Sequence, residues 1–504
     1  MYSEKKHIIE KVLLEVDTTS ETLAVQIKNN AGFYAEEKLF PLLEKLFDEY
    51  DSGENILRFE RMDISFSLED WEDEEALKLK LTENINAQLS RAEISGLSNP
   101  GISRSLGKNR NSKQIVQTQQ NAKTTFLFFI KNGYLPWYGK QENIDEITTL
   151  KKGSVKITDE AFLSDLKNVL QNSDTAVERL VLQFPDATVL EFIEAFNVLN
   201  ISDNEQFLHF VNSGGIEFRK RLFTSLIMLS VNTLEGKKYF REILTTYIKT
   251  HKAKDKKLAI IEEQAKNLVD EIRGYFREES ITDFLPKNEN EIRDFLNELV
   301  EIEKGSAEPA SSSINIKPTN SENKFVFDKN ESPFFEEGNN EILVQNAGLV
   351  ILGPFLPTFL KQFNWVSESG SIKRNEALKV VQAIHFLASG KTLFFEANMV
   401  FEKFLCGLPL TTPIPRKSLL NNEVLDEAEN LLSQVIKNWP ALKNTGIDGL
   451  RQMFLSRNGK LIKTEQGFKL IVEHKAQDIL LDKLQWNISF AKLPWKKELL
   501  FVEW

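Results

Sequence analysis

The most informative stretch of this sequence is LPWKKELLFVEW, residues 493–504. It opens on a Leu-Pro-Trp step and closes on Trp504. Proline fixes the backbone, and a tryptophan side chain buries up to ~250 Å². Free chain ends are normally polar and mobile, so we expect this segment to be docked against the rest of the fold. The apolar runs at 485–493 and 498–503 predict short strands.

Residues 342–492, upstream of this stretch, are rich in packing and turn motifs. They include LCGLP at 405–409 and WPALKNT at 439–445. Gln466-Gly467 is typical of a hairpin turn and predicts paired strands over 460–473. Apolar periodicity predicts helices at about 374–389, 395–406 and 423–437. The sequence therefore predicts a C-terminal α+β module over 342–504.

The first 92 residues predict a small β-α-β unit followed by a charged helix. Residues 7–17 indicate one strand, and Ser20 is a candidate N-cap for the helix that follows. Residues 55–68 indicate a second strand. Its last four apolar side chains alternate strictly: Met62, Ile64, Phe66 and Leu68. Residues 71–92 read as the charged helix.

Two polar segments divide the remainder of the chain. Residues 93–123 and 304–341 are rich in Ser, Asn and Gly and predict flexible linkers. Between them, 124–303 predicts a helical spacer, with one apolar helix stopped at Asn132-Gly133. Its amphipathic faces include Phe162, Leu166 and Leu170. We therefore predict a mainly α fold with helix pairs in the middle and small α+β modules at both ends.

Composition excludes several classes of function. The 504 residues carry a net charge of -11 and a pI near 5.3, which argues against nucleic acid as the main partner. A single cysteine, Cys406, excludes an intrachain disulfide framework and fits a reducing cytoplasm. Residues 1–20 lack an apolar core and no long uncharged apolar run occurs, so we expect neither a signal peptide nor a membrane span.

No catalytic, cofactor-binding or metal-binding constellation is predicted. The five histidines share no metal-ligand spacing, and no glycine-rich phosphate loop occurs. His385 lies near a helix end and is interpreted as a packed or dipole-facing side chain. Cys406 has apolar neighbours and is interpreted as a small buried filler.

Tryptophan beside proline marks the candidate contact sites. Tryptophan is enriched both in cores and at binding hot spots, so each site can be a core anchor or a partner-docking residue. The candidates at these steps are Trp137, Trp439, Pro440, Pro494 and Trp495, and Trp504 at the end of the docked segment is the sixth candidate.

A set of short blocks, in this order, resembles the tape measure proteins of extracellular contractile injection systems, the phage-tail-like particles of bacteria. The blocks are HIIEK at 7–11, LRFERMD at 57–63, FFIKNGYLPW at 128–137, NAGLVILGPFL at 346–356, LCGLP at 405–409, WPALKNT at 439–445, GLR at 449–451 with FL at 454–455, LPW at 493–495 and VEW at 502–504. The middle of the chain resembles the family only in being helical and variable.

The resemblance implies a structural component and no catalytic residue. Such a protein is expected in the cytoplasm during assembly and then within the particle, in contact with inner-tube and baseplate or spike proteins. It is expected to set tube length, with no nucleic-acid or membrane partner and with self-association left open. The sequence has no sustained heptad repeat, and residues 90–340 would span only ~375 Å as one helix.

Two rival hypotheses stay open at this level. The chain could be a cytoplasmic adaptor or chaperone that binds tube or cargo proteins through helix-pair grooves. An enzyme is the other rival, but no motif supports it.

Overall fold

The computed structural model divides the chain into two compact units. One comprises Met1–Phe126 with Leu135–Val155, and the other Leu127–Tyr134 with Lys156–Trp504. The structure describes residues 7–9, 12–49, 55–59, 61–68, 73–91, 113–148, 159–196, 199, 204–231, 236–250, 258–276, 285–304, 335 and 340–504.

The first unit combines helices with a two-stranded sheet. Its elements are α1 (Glu21–Tyr34), a π-helical turn (Ala35–Leu39), α2 (Phe40–Asp48), β1 (Asn55–Phe59), α3 (Glu74–Arg91), β2 (Lys113–Gln117), α4 (Thr118–Asn132), whose last turns belong to the second unit, and α5 (Gln141–Thr148). Ser20 caps α1 as predicted, because its Oγ accepts a 3.3 Å hydrogen bond from the Leu23 N–H. Leu43 and Leu46 of α2 pack in one core with Leu77, Leu81 and Ile85 of α3.

The N-terminal strands differ from those of the predicted β-α-β unit. β1 pairs antiparallel with β2, which lies in the segment predicted to be a linker. Residues 93–112 of that segment fall outside the described residues, but 113–123 form a strand and the start of α4. The described positions within 7–17 belong to no strand, so the strand predicted there is wrong. Exposure does alternate over 61–68, as predicted, with the apolar side chains turned inward.

The middle of the second unit is a set of helices whose apolar faces meet. They are α6 (Glu160–Gln171), α7 (Asp174–Gln183), α8 (Asp186–Ala195), α9 (Asn204–Ser213), α10 (Gly215–Val231), α11 (Gly236–Thr250), α12 (Leu258–Tyr275) and α13 (Glu289–Lys304). Asp159 caps α6 by accepting from the Phe162 N–H at 3.1 Å. Phe162, Leu166 and Leu170 are buried on one face of α6, as their spacing predicts.

The C-terminal part of the second unit combines short helices with a five-stranded sheet. Its elements are β3 (Glu341–Val344), α14 (Leu356–Gln362), α15 (Ala377–Ser389), α16 (Val400–Cys406), α17 (Asn422–Lys437), α18 (Ile447–Leu450), β4 (Gly459–Thr464), β5 (Gly467–Val472), β6 (Phe490–Ala491) and β7 (Leu500–Glu503). The strand order is β3-β4-β5-β7-β6, and only β5 and β7 run parallel.

The predicted hairpin and C-terminal strands are confirmed. β4 and β5 pair antiparallel from Gly459↔Val472 to Thr464↔Gly467. Gly467 has φ of +136°, which side chains rarely adopt, and a Cβ there would lie 2.7 Å from the Leu499 carbonyl oxygen. The fold class is therefore as predicted: mainly helical, with small sheets near both ends.

Candidate functional site

Trp439 is a core anchor. Its side chain is fully buried, and the indole Nε1 donates to the Leu480 carbonyl oxygen at 3.0 Å. The ring centroid lies 4.7 Å from that of Phe454. Pro440 begins the short helical turn that follows and is exposed. An indole that is both apolar-packed and hydrogen-bonded holds α17 to the segment that contains Leu480.

Trp495 and Trp504 tie the last strand region to the C-terminal core. Both side chains are half-buried, whereas Pro494 is exposed. Trp495 Nε1 donates to the Leu405 carbonyl oxygen at 2.8 Å. Trp504 Nε1 donates to Asp478 Oδ2 at 3.1 Å. This arrangement gives each indole a polar partner and leaves part of its ring in contact with solvent.

Asp478 is itself fixed by a buried arginine. Arg457 Nη2 donates to Asp478 Oδ1 at 2.7 Å, and the arginine side chain is fully buried. Its other nitrogens donate to the carbonyl oxygens of Met453 and Glu473. Asp478 therefore accepts hydrogen bonds from both the Trp504 indole and the buried Arg457 guanidinium.

Three fully buried charges meet where α7 contacts the C-terminal part of the unit. Glu396 Oε1 accepts from Arg179 Nε at 3.0 Å and from Lys403 Nζ at 2.7 Å. Its Oε2 accepts from the Ile414 N–H at 3.3 Å. Lys403 also donates to the Leu410 carbonyl oxygen at 2.8 Å. Burial lowers the pKa of Lys403 to about 8, although Glu396 opposes that shift.

Arg179 also closes the end of α4. Its Nη1 donates to the Ile130 carbonyl oxygen at 2.5 Å, and Nη2 donates to that of Thr411 at 2.6 Å. The last carbonyls of a helix carry partial negative charge, so a guanidinium suits this position. Gly133, with φ of +81°, follows α4, and a Cβ there would lie 2.4 Å from Glu396 Oε1. The predicted helix stop at Gly133 therefore lies directly against Glu396 and Arg179, which occupy the space that a side chain would fill.

His385 and Cys406 are both buried, as interpreted from the sequence. His385 Nδ1 lies 2.7 Å from Glu402 Oε1, which also accepts from Asn346 Nδ2 at 2.7 Å. Burial raises the pKa of the Cys406 thiol, so it stays protonated. Lys496 lies 3.6 Å above the ring centroid of Phe404, and burial lowers the pKa of this amine to about 8.

Sequence reasoning did not single out these charged residues, because charged side chains are normally solvated. Their signal is a charged side chain on an otherwise apolar helix face. Glu402 and Lys403 lie within α16, in which every residue is buried. Arg179 and Gln183 are four residues apart on one face of α7. The partners themselves are far away in sequence, so no spacing rule finds them.

The first unit contains a cleft of about 1060 Å³. Residues 12–18 form part of its lining, and residues from 61–68 form another part. Trp137 and Tyr138 also line it, and their ring centroids lie 5.6 Å apart. Trp137 is half-buried. It is thus the candidate tryptophan that borders an open space.

Within the described part of the chain, no group of three or more His, Cys, Asp and Glu residues could hold a metal ion. None of the described helices is long and apolar enough to cross a membrane.

These features describe a mainly helical scaffold with small sheet modules, held together by buried indoles and buried charges. The chain belongs to a family of structural particle components, the contractile injection system tape measure proteins, since the family model of that description matches residues 6–504. Family membership implies a component of the injection particle that works with tube proteins. No curated protein and no solved structure matches the chain.

Proposed function

We propose that this protein is a non-enzymatic ruler that sets inner-tube length and associates with the baseplate of the particle. The family match over residues 6–504 carries the proposal. Assembly would begin in the cytoplasm and end with the protein inside the particle. The N-terminal module and the C-terminal part would be the two fixed ends, and the helices between them would supply length.

The lengths of the folded helices limit how this protein could measure the inner tube. The longest described helices, α3 and α12, have 18 residues each and span about 27 Å at 1.5 Å per residue. A middle folded as short helices is far shorter than the ~375 Å that one continuous helix over 90–340 would reach. We propose that α7 stays locked through Arg179 and that the helices after it open when the ruler extends.

Duplication of residues 236–275, which comprise α11 and α12, tests the ruler. The insertion adds ~60 Å if it is helical in the tube. Electron microscopy of purified particles would then show a longer tube. The matched control adds a glycine-serine segment of equal length after residue 504, outside the interval between the ends, and should leave tube length unchanged. Equal lengths for both variants and the parent would refute the ruler.

A second candidate is an adaptor or chaperone that binds tube or cargo proteins and then leaves. The compact second unit favours this candidate, because its middle helices are already packed with buried aromatic residues such as Phe207 and Phe218. Mass spectrometry of purified particles separates the two, since an adaptor that leaves would be absent from mature particles.

Under this proposal, the six proline and tryptophan candidates fall into core, anchoring and partner-contact residues. We assign Trp439 to the core, and Trp495 and Trp504 to anchoring of the C-terminal region. Pro440 and Pro494 are exposed and would contact baseplate partners. Trp137 borders the cleft and would contact a bound partner.

A further inference from the structure

Arg58 is a buried cation for which the described residues supply no carboxylate. Its side chain is 8% exposed. Its Nη2 donates to Asn121 Oδ1, and its guanidinium carbon lies 3.7 Å from the ring centroid of Tyr138. Its Nε has no hydrogen-bond partner among the described residues. A guanidinium stays charged in proteins, and a buried charge is costly unless it is paired.

The described neighbours of Arg58 do not neutralise its charge. Asn121 is a neutral amide, and burial raises the pKa of the Tyr138 phenol, which therefore stays protonated at neutral pH. Arg58, Asn121 and Tyr138 all line the cleft of the first unit. The Arg58 side chain thus borders an open cavity, and its guanidinium has no carboxylate partner among the described residues.

Part of the cleft lining is an unusual run of exposed apolar side chains. Leu13 is 73% exposed, and five other large apolar residues nearby are also exposed. All six line the cleft: Ile8, Ile9, Val12, Leu13, Leu14 and Val16. Contiguous exposed apolar surface of this kind marks interaction sites in soluble proteins.

Residues 61–68, which also contribute to the lining, have the pattern of a strand without a strand partner. Exposure alternates at every position, which is the two-residue period of an extended chain. This segment belongs to none of the strands that the structure describes, and neither do residues 12–18. Its Asp63 carbonyl oxygen accepts from Gln88 Nε2 at 2.7 Å. Extended segments outside a sheet can bind peptides by strand addition, with alternate side chains entering pockets.

We propose that this cleft binds an extended segment of a partner protein, with alternating apolar side chains and one carboxylate that pairs with Arg58. The alternating side chains would cover the apolar lining from Ile8 to Val16. The carboxylate would lie beside the Arg58 guanidinium and balance its buried charge. A fatty acid also offers a carboxylate and an apolar chain, but it has no peptide groups that could pair with the backbone of residues 61–68.

Selection from a random twelve-residue peptide library on the full-length protein tests the proposal. Enriched peptides should alternate apolar residues and contain one Asp or Glu. In fluorescence anisotropy, replacing that acid by its amide should weaken binding to the parent protein at least tenfold. The same replacement should change binding to the Arg58→Gln variant less than twofold, because the pairing cation is gone.

Two further variants keep the test decisive if Arg58→Gln disturbs folding. Leu13→Ser removes a mostly exposed side chain and should weaken peptide binding at least fivefold without changing the melting curve. Arg61→Gln is the matched control, because Arg61 also lines the cleft but is 60% exposed and lies 2.6 Å from Asp63 Oδ1. Its binding should stay within twofold of the parent.

The proposal is overturned if no acidic, alternating sequence is enriched, or if Leu13→Ser and Arg58→Gln both bind like the parent. Arg58-dependent binding of dodecanoate without any peptide enrichment would assign the cleft to a fatty acid and would also overturn it. Tube length is not measured here, so failure of this proposal is separate from failure of the ruler.

Discussion

Arg179 Nε donates a 3.0 Å hydrogen bond to Glu396 Oε1 across 217 positions of sequence, and both side chains are fully buried. This bond joins the middle helices to the C-terminal part of the second unit. Lys403 shares the same carboxylate oxygen, so two cations meet one anion in a site without solvent contact. Such a cluster specifies one packing arrangement and is costly to break.

Substitution of Arg179 should strongly destabilise the protein. Arg179→Met keeps the Lys403–Glu396 pair but removes the buried donor to the carbonyl oxygens of Ile130 and Thr411, and should lower the free energy of unfolding by ~2–5 kcal/mol. Urea denaturation of the full chain, followed by tryptophan fluorescence, measures it. Arg221→Met is the matched control, because Arg221 pairs with Glu242 at 2.8 Å on a partly exposed surface. Arg221→Met should lower the free energy of unfolding by less than ~1 kcal/mol. Equal losses for the two variants would contradict the role of Arg179 as a buried anchor.

The charge cluster should make stability depend on alkaline pH. Folded Lys403 loses its proton at about pH 8, whereas the ordinary lysine pKa is 10.5. Between these values the unfolded chain binds more protons, so the free energy of unfolding should rise with pH through this residue. The rise is at most about 1.4 kcal/mol per pH unit.

Comparison with Lys403→Met isolates this effect from other groups, including Cys406, which acts in the opposite direction. The parent should gain stability relative to the variant between about pH 8 and 10. Denaturant midpoints at half-unit pH steps measure the difference. A constant or falling difference would show that the folded lysine is not held with a lowered pKa.

Gly133 should tolerate no side chain. Its positive φ already disfavours alanine by about 1–2 kcal/mol, and the added Cβ would lie 2.4 Å from Glu396 Oε1. Gly407→Ala is the matched control, because Gly407 has φ of +71° but no heavy atom within 4 Å of the added Cβ. Thermal unfolding of both variants should show the larger loss for Gly133→Ala. Equal losses would mean that the backbone conformation alone decides the cost.

The tryptophans should differ in what they contribute to stability. Trp439→Ala removes a fully buried ring and should cost ~3–5 kcal/mol. Trp504→Ala should cost clearly less, since Trp504 is half-buried and the Arg457–Asp478 pair remains. Trp137→Ala should leave the unfolding free energy nearly unchanged and instead weaken peptide binding in the cleft. Denaturant titration of the three variants gives the order, and the reverse order would contradict the assignment of Trp439 as the core anchor.

Local rules of the chain determined much of the fold. The spacing of Phe162, Leu166 and Leu170 specified a helix with one buried face, and Gly133 specified where the preceding apolar helix ends. The Gln466-Gly467 pair specified the hairpin, because glycine alone adopts φ of +136° easily. These features depend on residues a few positions apart, so the sequence by itself was sufficient.

Tertiary structure alone decided which distant segments meet. β1 pairs antiparallel with β2, which lies far from it in the chain, and no local spacing encodes that pairing. The burial of Arg179, Glu396, Lys403 and Arg58 likewise cannot be read from residue type, since charged side chains are normally solvated. Only the fold removes water from them. That loss of solvent makes buried anchors of Arg179, Glu396 and Lys403, and it leaves Arg58 without a carboxylate partner among the described residues.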